Sequence, residues 1–124
     1  MQPFTYTRAA DLDAALATLR QQAHAYPIAG GTELVNWMKE GSVYPAVLVD
    51  INALPGLDGI EASADGLHIG ALARMSDVAA HPTVQREYPA IAEALLASAS
   101  QQLRNMASMG GNLLQRTPLP ILPG

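Results

Sequence analysis

Apolar residues recur at Leu12, Ala15, Leu16 and Leu19, steps of three and four that predict a helix over 11–22 with Arg20 and Gln21 turned outward. Short runs flank it: Phe4 to Thr7 reads as one strand and Tyr26 to Ala29 as another. A second helix is expected over Thr32 to Lys39, and a buried strand over Ala46 to Asp50, rich in Val and Leu. This β-α-β-α-β order implies a small, mainly parallel sheet with right-handed crossovers and the Tyr26 strand in its middle. From Leu54-Pro55-Gly56 and Asp58-Gly59 the pattern changes. Ile60 to Ser63 and Leu67 to Ala71 enclose Asp65-Gly66, a hairpin signature in which Asp-Gly supplies positive φ. Ser76-Asp77 is expected to cap a short helix to Ala80 that His81-Pro82 ends, and Ile91 to Ala99 reads as an alanine-rich helix. The change of period puts a subdomain boundary near 53–58, giving units at 1–55 and 56–117 and a proline-rich tail at 118–124.

Where the Tyr26-Pro27-Ile28 run stops, the chain reads Ala29-Gly30-Gly31-Thr32-Glu33-Leu34. Adjacent glycines accept backbone angles closed to other residues and carry no Cβ, so an anionic group can approach several N–H groups, and a helix start beside them adds further donors. A second pair stands in Ser108-Met109-Gly110-Gly111-Asn112. Two such turns suit a long, multiply charged ligand. Each alone also reads as an ordinary tight turn, with Ser108 as a capping serine and Asn112 as a turn residue at positive φ. There is no Gly-x-Gly-x-x-Gly and no Gly-Lys-Ser/Thr, so neither a Rossmann dinucleotide loop nor an NTPase loop is indicated.

The chain of 124 residues is long enough for one domain or two very small ones. A net charge of −4 with seven scattered Lys and Arg residues argues against nucleic acid as a partner. No window approaches a membrane span, and the first residues carry no export signal, so a soluble protein is expected. It would be cytoplasmic, or periplasmic if exported with a partner subunit. Zero cysteines exclude disulfides and thiolate-held zinc or iron–sulfur centres within the chain. His24, His68 and His81 lack metal-site spacing and read as plain surface or hydrogen-bonded histidines. Core packing is expected of the five Met residues and of Trp37. No nucleophile–base or paired-carboxylate arrangement emerges, so no catalytic residue is assigned.

Taken together, several segments resemble the flavin-binding subunit of the molybdenum hydroxylases, the group of xanthine dehydrogenase, aldehyde oxidoreductase and carbon monoxide dehydrogenase. They are Phe4-Thr5-Tyr6, Ile28 to Leu34, Leu48-Val49-Asp50-Ile51-Asn52, Ile69-Gly70-Ala71-Leu72, Gln102-Leu103-Arg104-Asn105 and Ser108 to Thr117. The last is most similar to the bacterial aldehyde oxidoreductase branch. The resemblance implies an α/β fold, α+β overall, of the p-cresol methylhydroxylase and vanillyl-alcohol oxidase flavin-binding type. Its amino-terminal part would be a parallel subdomain followed by an incomplete antiparallel-plus-helix one.

It further implies FAD lying extended between the two, held first by Ile28, Ala29, Gly30, Gly31, Thr32, Glu33 and Leu34, and then by Ser108, Gly110, Gly111 and Asn112. Implied partners are a molybdopterin-binding large subunit and a [2Fe–2S] small subunit, with electrons passing from substrate through both to FAD. The family subunit is more than twice this length, and its aldehyde oxidoreductase branch continues after Arg-Thr with a cysteine-containing segment. Here Pro118-Leu119-Pro120-Ile121-Leu122 follows. One extra C ahead of codons CGC-TGC-CCA-TAC-TTC yields that order, which is compatible with a frameshifted or truncated product. The competing expectations are a fragment that keeps the fold but binds no flavin, and a stand-alone nucleotide-diphosphate module.

Overall fold

The computed structural model describes residues 2–114; the proline-rich tail expected at 118–124 lies outside the described residues. A strand β1 (Thr5–Arg8) leads into helix α1 (Leu12–Gln21), whose start is fixed by the Asp11 carboxylate accepting from the Ala14 N–H at 2.7 Å. Ala15 is buried and Leu19 packs on the sheet, whereas Leu12, the first residue of the expected apolar face, stays half exposed. Strand β2 (Ala25–Ile28), helix α2 (Leu34–Glu40) and strand β3 (Val47–Asp50) follow. Gly41 ends α2 in the left-handed conformation at φ +77°.

The three strands form a parallel sheet in the order β1-β3-β2, with Tyr6 and Tyr26 flanking Leu48 from opposite sides. The central strand is therefore β3, not the Tyr26 strand as the chain order suggested. Two residues explain this. Pro27 has no N–H to give to a second neighbour and is tolerated on an edge, while the run Leu48-Val49-Asp50 is buried throughout, as a strand covered on both faces must be.

Beyond Leu54, strands β4 (Ile60–Ser63) and β5 (Gly66–Ile69) pair antiparallel. Their turn is Ala64-Asp65, one residue earlier than expected, and Gly66 closes it at φ +135°. Five short helices complete the described chain: α3 (Met75–Ala80), α4 (Pro82–Glu87), α5 (Pro89–Ala97), α6 (Gln101–Met106) and α7 (Met109–Leu114). Helix α3 starts at Met75 rather than being capped by Ser76, whose hydroxyl instead donates to the Arg104 carbonyl at 3.1 Å. Pro82 does end α3, but as the first residue of α4, and Pro89 likewise starts α5 two residues before the expected position. Proline at a first helical position sacrifices no hydrogen bond, because that N–H has no partner in the helix anyway.

Two apolar clusters result. One joins Ala9, Ala15 and Val49 to Leu54 and Leu72; the other joins Met75, Val78 and Val84 to Ala92 and Leu95, with Ile60, Leu67 and Ile69 of the hairpin against it. Met38 and Met75 pack as expected, but Met106 is exposed and Trp37 only half-buried.

Candidate functional site

Between the carboxyl end of β2 and the α6–α7 corner lies an open cleft of about 650 Å³, within the usual range for a small-molecule or cofactor site. One wall is Tyr26 through Leu34 with Trp37, and the other is Leu103 with Ala107, Ser108 and Gly110 to Asn112; Ala71 and Leu72 also line it. The segment Ile28 to Leu34 and the residues Ser108, Gly110, Gly111 and Asn112 thus share one cavity, although about eighty positions separate them in the chain.

The first wall is built from free donors. Among the described residues no group accepts a hydrogen bond from the N–H of Gly30, Gly31, Thr32 or Glu33, so four consecutive amides are available. Gly31 sits at φ +73°, where a side chain strains the backbone. Gly30 is required for a different reason: a Cβ there would lie 2.8 Å from the Met106 carbonyl carbon, so the loop touches the end of α6 backbone to backbone. Helix α2 begins just past the loop, and Asn36 ties it back by donating from Nδ2 to the Thr32 carbonyl at 3.1 Å.

The second glycine pair is not a turn. Gly110 and Gly111 lie inside α7, neither they nor Asn112 has positive φ, and their amides are spent internally. Gly110 N–H donates to the Ala71 carbonyl, Gly111 N–H to the Ser108 hydroxyl and Asn112 N–H to the Ser108 carbonyl, at 2.9, 3.2 and 2.9 Å. Segment 71–75 also pairs with this corner: Met75 N–H donates to Ala107, Met109 N–H to Ala73, and Arg74 and Ser108 form a bridge. Ser108 is accordingly a buried capping residue. What this wall offers a ligand is shape and the Asn112 side chain rather than a cradle of amides.

Behind the loop runs a polar chain that the sequence reading did not single out. Asp50, buried at the end of β3, accepts from the Tyr6 hydroxyl, from Asn52 N–H at 2.9 Å and from Asn52 Nδ2 at 2.8 Å. Burial pushes its carboxyl up, but the hydrogen bonds from Tyr6 and Asn52, helped by the Arg8 charge, outweigh it and hold the carboxyl below the ordinary carboxylate range. The same bond raises the Tyr6 hydroxyl above its usual value. Asn52 Nδ2 also donates to the Ala29 carbonyl at 2.9 Å, and Asn52 Oδ1 accepts from Arg74 at 2.5 Å. The other Arg74 nitrogen donates to the Met106 carbonyl at 2.8 Å. Asn52 lies in a segment that carries the family resemblance, yet no spacing rule links it to Arg74. Among the described residues no cluster of three or more His, Cys, Asp or Glu side chains is placed to hold a metal ion.

Residues 2–120 match the family model described as the FAD binding domain in molybdopterin dehydrogenase, so the match continues past Thr117 into the first tail residues. The aldehyde oxidoreductase FAD-binding subunit PaoB of Escherichia coli K12 is 50% identical over 122 residues, covering 97% of this chain and 38% of that protein. The glyceraldehyde dehydrogenase medium chain of Sulfolobus acidocaldarius is 32% identical over 120 residues, covering 97% and 43%. Carbon monoxide dehydrogenase from Hydrogenophaga pseudoflava is similar in structure, with a TM-score of 0.86, 34% identity and coverage of 90% of this chain and 39% of that one. Quinoline 2-oxidoreductase from Pseudomonas putida 86 matches with the same TM-score at 32% identity. The chain therefore spans about two fifths of the length of the relatives it matches. A match along nearly the whole chain, in sequence and in structure, makes this protein a member of the FAD-binding subunit family of the molybdenum hydroxylases.

Proposed function

We propose that this chain holds FAD in the cleft between its two glycine segments, and that in the whole protein the site serves electron transfer within a molybdenum-containing aldehyde or xanthine-type oxidoreductase. The observation that carries the reading is the row of four unspent amides at Gly30 to Glu33, on residues that line a cavity of about 650 Å³. Neutral N–H donors held by a rigid loop suit a diphosphate, which needs several hydrogen bonds along one edge. Thr32 adds a hydroxyl, and Ile28, Ala29 and Leu34 flank the loop with apolar surface. Ser108, Gly110, Gly111 and Asn112 form the opposite contact, in which the two glycines keep the wall low and Asn112 supplies polar groups.

When bound, FAD supplies redox chemistry at its isoalloxazine ring that no side chain can perform. The residues of this chain bind and orient it, and the apolar lining from Tyr26, Trp37 and Leu103 excludes water from one side of the cleft. The partners of the assembled enzyme are then the molybdopterin-binding subunit and the [2Fe–2S] subunit that the family resemblance implies; the medium-chain name of one relative supports further subunits in general.

The single Trp37 lines the cleft and reports on it directly. Titration with FAD is expected to quench Trp37 emission saturably, with ADP competing and FMN competing less well. Equal affinity for FAD and ADP-ribose would instead favour a nucleotide-diphosphate module, and no quenching by either would remove the reading. One observation favours a weak version for this chain alone. Leu114 lines the cleft yet is 83% exposed, and Leu113 beside it is 77% exposed, so the wall they form is bare. A dissociation constant weaker than about 1 μM is expected, because open ligand surface forfeits burial while the entropy cost of binding remains.

A further inference from the structure

We propose that Asn52 and Arg74 are positioning residues, a two-membered relay that holds the two walls of the cleft at one fixed separation. The proposal rests on the flavin reading for its consequence but not for its geometry. Asn52 uses both amide hydrogens and its oxygen at once. Nδ2 bonds Ala29, the residue that opens the first glycine loop, and Asp50 of the central strand, while Oδ1 takes Arg74. That assignment of the amide leaves no ambiguity, since a flipped group would set its oxygen against two acceptors. Arg74 divides its guanidinium between Asn52 and the Met106 carbonyl, the last carbonyl of α6 and the atom against which Gly30 packs. The backbone of Arg74 is itself bridged to Ser108. The path from one wall to the other therefore runs Ala29, Asn52, Arg74, Met106, with each link at hydrogen-bond distance.

Two charged groups complete the surroundings. Asp58 and Asp77 line a recess of about 140 Å³ with Asn52 and Arg74, and among the described residues neither forms a salt bridge with Arg74. The planar fork is what lets one side chain serve two acceptors; a lysine ammonium of similar length does not hold both in a fixed geometry. Asparagine is needed at 52 for a related reason. An aspartate has the same shape and keeps an acceptor for Arg74, but it turns a carboxylate oxygen toward both the Ala29 carbonyl and the Asp50 carboxylate.

The test uses amide hydrogen exchange on the full chain carrying Asn52→Asp, Arg74→Lys or, as a control on general stability, Val84→Ala in the second core. Among the described residues Arg74 forms no hydrogen bond to the first loop, so the informative amides are those across the relay. Arg74→Lys is expected to speed exchange at Val35 and Ile51, whose N–H groups bond Gly31 and Ile28, by about tenfold. Asn52→Asp is expected to do the same at Met109 and Gly110. Val84→Ala speeds exchange in the hairpin and α3 to α5 instead. If each variant loosens only its own wall, or both follow the Val84→Ala pattern, the relay is wrong. Affinity for FAD and for ADP, read from Trp37, is expected to fall about tenfold together in both relay variants. Coupled exchange in a protein that binds neither ligand would leave the relay standing and remove the flavin reading, which separates the two failures.

Discussion

The two glycine pairs look alike in sequence and behave oppositely in the structure. Gly30-Gly31 sits in a loop whose amides are unspent and whose geometry excludes a side chain twice over, by close backbone approach at one glycine and by positive φ at the other. Gly110-Gly111 sits in a helix whose amides are already bonded, with ordinary helical angles. A glycine pair therefore marks a ligand cradle only when the neighbouring chain leaves its N–H groups free. Here two neighbours decide that: segment 71–75 takes the Met109 and Gly110 donors, and Ser108 takes those of Gly111 and Asn112.

The sharpest way to break the contrast is Gly30→Val. The added carbons meet the Met106 carbonyl, which belongs to backbone and cannot turn away, so a loss on the order of 3 kcal/mol is expected in denaturant unfolding, together with loss of FAD quenching. An unchanged unfolding midpoint would show that the loop and α6 do not touch. Gly31→Val comes next: strain at φ +73° costs about 1–3 kcal/mol and is expected to weaken FAD at least about tenfold. Unaltered affinity would move the diphosphate elsewhere.

A smaller effect concerns the support behind the first wall. The Asp50 carboxyl is depressed in the folded protein, so its stabilisation is complete above the unfolded carboxylate range and fades as pH falls through the folded value, below about pH 4. Thermal unfolding followed from pH 7 to pH 3 is expected to show this acid limb, and Tyr6→Phe to flatten it by removing the hydroxyl that holds the carboxylate. An identical limb in the variant would mean that another group produces it. The smallest change is expected at Gly111→Ala. Its Cβ meets only the Ser108 hydroxyl at 3.1 Å, and the gain in helix propensity offsets that contact, so stability should stay within about 0.5 kcal/mol, while the methyl added to the low wall should weaken FAD by less than about threefold. A large loss of affinity there would restore parity between the two walls.

The strands and the first two helices were legible because each depends on local pattern: short apolar runs and a three-and-four step. The sheet order was not, since β1 and β2 both pair with a strand that comes later; Pro27 carried the only local clue that its strand is an edge. Helices α4, α6 and α7 escaped because they are one or two turns long and take their stability from packing rather than from period. Asn52 and Arg74 stand 22 positions apart with no spacing rule to join them, and their partners are mostly backbone carbonyls, which every sequence contains.

The order β1-β3-β2 also bears on how the chain is made. Neither of the first two strands can pair with the other; each waits for residues 47–50, so a ribosome must deliver about fifty residues before any sheet exists. Until then the first glycine loop has nothing to hold its shape, and the nascent segment exposes two unpaired strand edges. Val47-Leu48-Val49-Asp50 then closes both edges, whereas the loop gains its contacts with Asn52 and Met106 only from chain made later still.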